Sequence, residues 1–296
     1  MNLTLSYSQI ATFLDCRKKY FLKYKKNLVS KIMNPNFIFG NAIHEGIRFL
    51  YEKKNNYLKL TLKNFEKEKS KARKNLIVSA ENEQKLIEQE SVIRGLLPNY
   101  QEHYKTFLKN TEHLKNEYKA TYKIDNNIKI TIKLDNLIKI KKDLYIHELK
   151  TTKVLTTDYV KNVKNDLQTN IYFYIHNIIE NKNKVKGILY DIVKKPGIRL
   201  KQNESEVQYL NRLYEYYKDG QSFHMEQINI PLLSKDRIFS IIKGVGKDII
   251  NCNNNINSFY PNERYCYVWS RCEYYDICHI GENKETLSIF TNRKES

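Results

Sequence analysis

The sequence predicts an α+β protein, and three changes in its hydrophobic pattern support this prediction. Apolar residues recur at helical spacing over much of the first 110 positions. From Glu117 they alternate with polar residues in short segments separated by turn-forming residues, which is typical of an antiparallel meander. Helical spacing returns from about residue 158. With 296 residues, nine Gly and five Pro, the chain shows no flexible linker, and we expect one compact unit over 1–296.

The first predicted element is a helix over residues 8–28. Ser8 is its candidate N-cap, and Cys16 lies within it. A second helix follows in "FGNAIHEGIRFLYEKK", for which Asn41 is the candidate cap. Its apolar stripe has His44 on the border, so this histidine is either a packed helix residue or a ligand.

The remaining elements follow from the same periodicities. Residues 57–110 are rich in Lys, Glu, Leu and Asn, which predicts a helical insertion. Turns are predicted at Asn126–Asn127 and Lys142–Asp143 within the meander. The later predictions are a helix at about 158–181, a strand at 185–195, a helix at about 203–218, an edge strand at 227–233 and a helix at 236–252.

The chain is strongly basic. It carries 51 Lys and Arg against 33 Asp and Glu, a formal charge of +18 spread along its length. A polyanion is the natural partner of such a charge. The alternative is that abundant Lys, Asn, Ile and Tyr reflect an A- and T-rich genome without selected binding.

No apolar segment approaches the length that crosses a bilayer, and no export signal precedes the first helix. We therefore expect a soluble protein of the cytoplasm with no membrane partner. Five cysteines, an odd number, argue against a disulfide framework and favour ligation or redox chemistry.

Three charged residues stand out in the meander: Asp135, Glu148 and Lys150. Glu148 and Lys150 lie two apart on one strand and share a face with apolar neighbours, where charges are costly unless they are paired or bind a metal. A turn at Lys142–Asp143 would set Asp135 opposite Lys150, provided that a bulge turns Asp135 to the same face. Carboxylate oxygens suit Mg²⁺ or Mn²⁺. The alternative is a solvated strand end with an ordinary Glu–Lys pair.

This stretch resembles the PD-(D/E)XK nucleases, with Asp135 as the motif aspartate and "ELK" at 148–150 as the E-x-K. The proline usual before the aspartate is Leu134 here. The surroundings resemble the RecB/AddB-like branch, which includes CRISPR-adaptation exonucleases and phage-encoded relatives. The resemblance implies a restriction-endonuclease-like core, with a mixed central sheet flanked by helices.

Two further motifs of that branch have matches. "GNAIH" at 40–44 resembles its G-x-x-x-H and implies that His44 is a metal ligand, while "QTNIY" resembles its Q-x-x-x-Y, with Gln168 and Tyr172. Residues four apart share a helix face, so both side chains would point towards the active site. Each match also has a purely structural interpretation. The other six histidines, His147 among them, are interpreted as structural or surface residues.

Cys266, Cys272 and Cys278 follow each other at equal spacing in the segment 256–281, far from Cys16. Three clustered thiols favour ligation, with Cys16 as the fourth ligand closing this segment on the N-terminal helix. Iron-sulfur members of the branch hold a 4Fe-4S cluster in this order, so the resemblance implies one. Four thiolates would also suit Zn²⁺. Cys252 lies outside the pattern.

The resemblance implies a metal-dependent deoxyribonuclease that acts as an exonuclease on DNA ends or single strands. His44, Asp135, Glu148 and the Leu149 carbonyl would hold Mg²⁺ or Mn²⁺, and Lys150 would orient or deprotonate the attacking water. The alternatives are an inactive DNA-binding or scaffold subunit of a repair, recombination or CRISPR-adaptation complex, and an RNA-directed nuclease. "GVGKDII" lacks the spacing of a phosphate-binding loop, so no ATP site is expected.

Overall fold

The computed structural model describes residues 3–229, 232–268 and 270–293. The chain forms two compact units and passes between them several times. We call them the terminal unit and the central unit. The terminal unit comprises Met1–Met33, Ala120–Ile132 and Leu233–Ser296; the central unit comprises Asn34–Lys119 and Lys133–Leu232.

The described residues contain ten strands and twelve α-helices. The strands are β1 (Leu3–Ser6), β2 (Leu28–Ser30), β3 (Thr111–Asn116), β4 (Lys119–Lys123), β5 (Ile128–Lys133), β6 (Asn136–Ile140), β7 (Asp143–Thr152), β8 (Gly187–Lys194), β9 (Phe223–Ile228) and β10 (Phe290–Asn292). The helices are α1 (Tyr7–Asp15), α2 (Arg17–Tyr20), α3 (Pro35–Tyr51), α4 (Tyr57–Asn75), α5 (Ala80–His103), α6 (Lys105–Lys109), α7 (Thr157–Asn162), α8 (Leu167–Ile179), α9 (Glu206–Lys218), α10 (Lys235–Asn254), α11 (Tyr275–His279) and α12 (Lys284–Ser288).

The central unit is built around a five-stranded sheet in the order β3-β6-β7-β8-β9. β7 and β8 are parallel, and the other neighbours are antiparallel. A parallel pair needs a long crossover connection, which here contains α7 and α8. The predicted α+β class with a mixed central sheet flanked by helices is therefore confirmed.

The two faces of this sheet meet different helices. The ring of Tyr51 on α3 lies 4.7 Å from that of His147 on β7, centroid to centroid. On the opposite face, Gln168 at the start of α8 contacts Lys150 of the same strand. Because side chains alternate along a strand, odd-numbered residues of β7 point to the α3 face and even-numbered ones to the α8 face.

α3 begins earlier than the sequence suggested. Asn34 is its N-cap, with its side chain accepting a hydrogen bond from the backbone N–H of Asn36, and Pro35 occupies the first helical position. The predicted cap, Asn41, lies inside the helix. Pro35 has no backbone N–H to leave unsatisfied there, which is why the helix starts with it.

The predicted helix over 8–28 is also corrected. Its cap is Ser6 rather than Ser8, through a reciprocal capping box with Gln9. Cys16 does not lie inside one continuous helix, because it has extended backbone geometry between α1 and α2 and caps α2.

The meander prediction is wrong in its connectivity. The chain does not bulge at Asp135–Asn136; the predicted strand ends there, so that β5 belongs to a different sheet from β6. The hairpin between β6 and β7 turns at Lys141, whose φ of 57° is left-handed, and Lys142. Asn136 therefore pairs with His147, and a simple extension would set Asp135 opposite Glu148 rather than Lys150.

Later predictions need smaller changes. The predicted helix at 158–181 is interrupted, and α8 starts anew with Asp166 as its N-cap. The predicted edge strand at 227–233 is β9, which lies at the sheet edge but ends at Ile228; residues 230 and 231 are outside the described part of the chain.

The terminal unit contains a three-stranded sheet, β1-β5-β4, and the antiparallel pair β2 and β10. A small apolar cluster of Leu22, Tyr274, Ile277 and Phe290 packs against the half-buried Cys272 and Cys278. No helix in the described ranges is both long and apolar enough to cross a membrane.

Candidate active site

Asp135 and His44 meet at one end of the central sheet. The Nδ1 atom of His44 on α3 lies 3.2 Å from Oδ2 of Asp135, and both side chains are about one-third exposed. The backbone N–H of Leu149 is also directed at this oxygen, at 3.4 Å. Partial burial opposes the charge on Asp135, but the hydrogen bond and charge of His44, together with Lys150, hold its pKa below the ordinary value. Asp135 is therefore a carboxylate at neutral pH.

Glu148 lies on β7 and is 1% exposed. Its Oε1 accepts a hydrogen bond of 2.6 Å from Nζ of Lys150, whereas its Oε2 is buried with no partner among the described residues. Burial raises the pKa of Glu148 to about 7; the charge of Lys150 opposes this shift and that of Asp135 adds to it. An unpartnered buried carboxylate oxygen is costly, and a cation would relieve that cost.

Lys150 is held from two sides. Besides Glu148, its ammonium donates to Oε1 of Gln168 at 2.7 Å, and Nε2 of Gln168 donates to the hydroxyl of Tyr172 at 3.0 Å. Burial opposes the lysine charge, but the Glu148 carboxylate raises the pKa of Lys150 well above its ordinary value. In this arrangement Lys150 is a fixed cationic donor, which suits orienting a water or phosphate oxygen better than removing a proton.

Asp166 helps to position Gln168 at the site, a role that the sequence motifs did not indicate. Its side chain caps α8 by accepting from the backbone N–H of Thr169 at 2.9 Å, and it also accepts from Tyr190 at 3.3 Å. The cap fixes where α8 starts, and so fixes the height of Gln168 beside Lys150. Its position two residues before the glutamine of the Q-x-x-x-Y pattern, where a helix cap would lie, was a signal in the sequence for this role.

The donors at this site fit a divalent ion chemically. Among the described residues, no group of three or more His, Cys, Asp or Glu side chains is already arranged to hold one. The unpartnered Oε2 of Glu148, the ionised Asp135 and the adjacent imidazole of His44 are nevertheless the hard oxygen and nitrogen donors that Mg²⁺ or Mn²⁺ accepts.

A second polar cluster lies on the α3 face of the same strands. Nδ2 of Asn136 is 3.2 Å from Nδ1 of His147, whose Nε2 is 3.1 Å from Oδ2 of Asp191. The same Asp191 oxygen accepts a 2.6 Å hydrogen bond from Tyr100. His113 adds a 3.2 Å contact from its Nε2 to Oδ1 of Asn136. We call these five residues the buried network.

The inner part of the buried network is sealed from solvent, whereas His113 at its edge is half-buried. His147, Asp191 and Tyr100 are 0% exposed, and Asn136 is 5% exposed. Asn136 directly follows Asp135 in the chain, and His147 directly precedes Glu148. Sequence reasoning interpreted His147 only as structural or surface and did not single out Asp191, although a lone aspartate in the apolar run of β8 was a signal for a buried partner.

The four cysteines of the predicted cluster all belong to the terminal unit. The Sγ atom of Cys16 accepts hydrogen bonds from the backbone N–H groups of Lys19 (3.4 Å) and Asn262 (3.3 Å). The backbone N–H of Cys272 donates to the carbonyl of Cys266 at 2.8 Å. These contacts bring the start of the chain to the cysteine segment near its end.

The thiols also affect one another electrostatically. Burial raises the pKa of Cys278 to about 11, and the thiols of Cys16 and Cys272 add to this shift. Burial likewise raises the pKa of Cys266, again with contributions from Cys272 and Cys16. Cys252 is separate: it is buried on α10, where its thiol donates to the Ser258 carbonyl.

An open cleft of about 860 Å³ adjoins the His44–Asp135 pair within the central unit. We call it the α3 cleft, because α3 supplies much of its wall. Its lining residues are Asn36, Phe37, Gly40, Asn41, His44, Glu45, Arg48, Asn64, Lys67, Glu68, Asn116, Glu117, Lys133, Asp135 and Asn136. A substrate can therefore reach Asp135 from solvent along α3.

Comparison with known structures gives a fold match. The chain is similar to a protein of Eubacterium rectale whose crystal structure names it a "putative exonuclease", with a TM-score of 0.52 and 14% sequence identity. The match covers 95% of this chain and 88% of the other. At this identity the likeness concerns the fold. No curated protein sequence matches the chain.

Comparison with family models gives a match to the PD-(D/E)XK nuclease superfamily over residues 4–279. That range includes Asp135, Glu148 and Lys150, together with the helices that carry His44 and Gln168. A match over nearly the whole chain establishes the family, and this chain belongs to the PD-(D/E)XK nuclease superfamily.

Proposed function

We propose that the protein is a metal-dependent deoxyribonuclease that hydrolyses phosphodiester bonds, acting as an exonuclease on DNA ends or single strands. The observation that carries the proposal is the contact of Lys150 with both Glu148 and Gln168, beside the His44–Asp135 pair. A purely structural ion pair would not need the His44–Asp135 pair beside it, nor the open cleft that this pair lines.

In the proposed mechanism, His44, Asp135, Glu148 and the Leu149 carbonyl would hold Mg²⁺ or Mn²⁺, which would supply Lewis-acid activation of the phosphate and the attacking water. The ammonium of Lys150 orients that water or stabilises the negative charge that grows on the phosphate oxygens. Gln168, fixed by Tyr172, keeps the ammonium in place.

The test incubates purified protein with linear single-stranded DNA, circular single-stranded DNA, duplex DNA and RNA in the presence of Mn²⁺. We expect cleavage of linear single strands or duplex ends and little cleavage of circles, because an exonuclease needs a terminus. Lys150→Ala should lose this cleavage. Lys186→Ala is the matched control, since Lys186 also makes a 2.7 Å ion pair, to Asp143, but lies at an exposed strand end.

The outcomes separate the competing functions. Equal cleavage by the Lys150→Ala variant, or none by the wild-type protein, contradicts the nuclease proposal and favours a scaffold. Cleavage of circular DNA indicates an endonuclease, and cleavage confined to RNA indicates an RNA-directed enzyme.

We also propose that Cys16, Cys266, Cys272 and Cys278 bind a metal centre, a 4Fe-4S cluster in preference to Zn²⁺, as in the RecB/AddB-like branch. The contact between Cys16 and Asn262, which brings the first cysteine to the segment that carries the other three, and the hydrogen bond from Cys272 to Cys266 support the proposal. Such a centre would add folding free energy by joining distant parts of the chain.

The test measures iron, acid-labile sulfide and zinc in anaerobically purified protein, together with its visible absorbance. We expect iron and sulfide in equal amounts, and their loss in Cys278→Ser. Cys252→Ser is the matched control and should retain them. A colourless protein that contains zinc would contradict the iron-sulfur assignment, and one that contains neither would contradict the metal centre.

A further inference from the structure

Phe37 is an exposed aromatic residue in the α3 cleft, which a purely electrostatic binding site would not require. Phe37, Asn41 and His44 follow each other at three- and four-residue spacing, so they lie on one face of α3, which lines the cleft. The ring of Phe37 is 68% exposed. Phe39, two positions on, is 1% exposed and packs in the core, so the helix buries one phenylalanine and leaves the other in the cleft.

The ring of Phe37 faces the cleft without a ring partner among the described residues. Within the part of the chain that the structure describes, no aromatic ring stacks on it and no cation lies over it. A single exposed apolar residue on an open surface is ordinary. This one lies in a cleft that leads to the predicted catalytic residues, where a flat, unpartnered ring can accept the face of a planar ligand.

The charges in the cleft are largely compensated. Lys133 is paired with Glu117 at 2.8 Å, and Arg48 is paired with Glu52 at 2.7 Å. Lys67 is the one basic residue of the lining that has no ion pair among the described residues. Phosphate contacts, which contribute to the binding of duplexes and single strands alike, therefore have few free cations in this cleft, and other contacts must supply the selectivity.

Uncharged hydrogen-bonding groups take their place. The lining has five asparagines, and the amide of Asn136 is used in the buried network. The other four have side chains that can donate to and accept from base edges, although Nδ2 of Asn64 also donates to Glu45: Asn36, Asn41, Asn64 and Asn116. In a duplex, the faces of the bases are covered by their stacked neighbours. An aromatic ring with nearby amides therefore suits an unpaired base, as in proteins that bind single strands.

The spacing along α3 fits a short strand. Phe37 and His44 are seven residues apart, which is about 10 Å along a helix at 1.5 Å per residue. Stacked nucleotides advance about 3.4 Å each along a strand, so this separation corresponds to about three bases.

From these observations we propose that Phe37 stacks on an unpaired base about three nucleotides from the phosphate that is cleaved, so that the α3 cleft selects single-stranded or frayed DNA. The choice of DNA as ligand rests on the function proposed above. The stacking role of Phe37 goes beyond the metal and catalytic residues of that proposal.

The test measures binding rather than cleavage, in EDTA, so that it does not depend on activity. Short single-stranded oligonucleotides carry the fluorescent base 2-aminopurine at successive positions, and stacking on an aromatic ring quenches its emission. We expect quenching at one or two adjacent positions with wild-type protein. Phe37→Ala should lose this quenching and bind single strands about 10-fold more weakly, the scale of one base–aromatic contact.

Two variants isolate stacking from other effects. Phe37→Trp should retain affinity and quenching, whereas Phe37→Leu, which keeps an apolar side chain without a ring, should behave like Phe37→Ala. Tyr214→Ala is the matched control, because Tyr214 is a half-exposed aromatic residue on α9 outside the cleft lining. It should bind like the wild type.

Equal single-strand affinity of wild type and Phe37→Ala would overturn the proposal, and would leave a protein partner as the occupant of this surface. An equal loss for blunt duplex and single strand would overturn it too. Binding that depends on Phe37 in a protein that cleaves nothing would support this inference while contradicting the nuclease function.

Discussion

The two faces of the central sheet carry polar clusters of similar composition that differ in their exposure to solvent. On the α8 face, Glu148 has one oxygen bonded to Lys150 and one without a partner. On the α3 face, Oδ2 of Asp191 accepts from both Tyr100 and His147 in a site sealed from solvent. Among the described residues each carboxylate keeps one buried oxygen without a partner, Oε2 of Glu148 and Oδ1 of Asp191. The difference lies in the surroundings: Glu148 adjoins the partly exposed Lys150, whereas Asp191 is enclosed by Tyr100 and His147, which are 0% exposed.

A single strand, β7, contributes to both the buried network and the candidate active site. His147 and Glu148 are neighbours on β7, and side-chain alternation sends them to opposite faces. A buried carboxylate that accepts two hydrogen bonds inside a sealed network stabilises a fold, whereas a carboxylate beside a partly exposed lysine can also meet a ligand. The buried network thus anchors β6 and β7 next to the residues that we propose to act on DNA.

The same carboxylate-to-amide substitution on each face tests this division. For Glu148→Gln we expect the largest effect, a roughly 1,000-fold loss of cleavage, equal to about 4 kcal/mol of transition-state free energy. The amide keeps the shape but offers no charged oxygen to a metal ion or to Lys150. Single-turnover cleavage in Mn²⁺ measures the loss, and thermal unfolding shows whether the variant is folded. Wild-type rates would refute the assignment of the α8 face as the reactive one.

Much of this site could be predicted from sequence, because the residues that matter are close in the chain or on one helix face. Glu148 and Lys150 are two apart on β7, and Gln168 and Tyr172 are one turn apart on α8. Local periodicity fixes such pairs before any tertiary structure is known. The resulting face assignment for β7 agrees with the structure.

The surroundings of Asp135 could not be predicted in the same way. The alternation predicted one strand through Asp135 and therefore needed a bulge, but the chain instead leaves one sheet and starts another there. Which sheet a strand joins depends on distant pairings, such as β1 with β5, that leave no local pattern. The buried network was missed for the same reason, since Asp191 and Tyr100 are 91 residues apart.

The matched substitution on the other face, Asp191→Asn, should act on stability. Asp191 accepts from Tyr100 and His147 through the same oxygen, and an amide replaces a charged acceptor with a weaker one. We expect the free energy of unfolding to fall by about 2–3 kcal/mol, the range for hydrogen bonds to charged groups. Chemical denaturation measures it. Cleavage per folded molecule should change by less than threefold; a large catalytic loss at full stability would contradict the division between the two faces.

A smaller effect is expected for Tyr172→Phe on the α8 face. The substitution removes the hydroxyl that accepts from Nε2 of Gln168, so the glutamine is held less firmly beside Lys150. A loss of about 10-fold in cleavage rate corresponds to one hydrogen bond, about 1.4 kcal/mol. The rate at saturating DNA should fall, with little change in binding. Unchanged rates would mean that Gln168 needs no support from Tyr172.

The smallest expected effect concerns pH and the edge of the buried network. Burial lowers the pKa of His113 below its ordinary value of 6.5; the hydrogen bond with Asn136 and the charge of Glu52 oppose this, while Arg48 and His147 add to it. The unfolded chain therefore takes up a proton before the folded chain does. The contribution of His113 to stability is present above pH 6.5 and is lost as the pH falls from there through the lower, folded-state pKa.

His113→Gln removes this titration while keeping a side chain that can donate to Asn136. We expect the free energy of unfolding of the wild type to fall more steeply than that of the variant below pH 6.5, with similar values at pH 8. Denaturant unfolding at several pH values measures both slopes. Parallel slopes would show that His113 does not couple the buried network to pH. The network would then be insensitive to protonation at His113, its half-buried end.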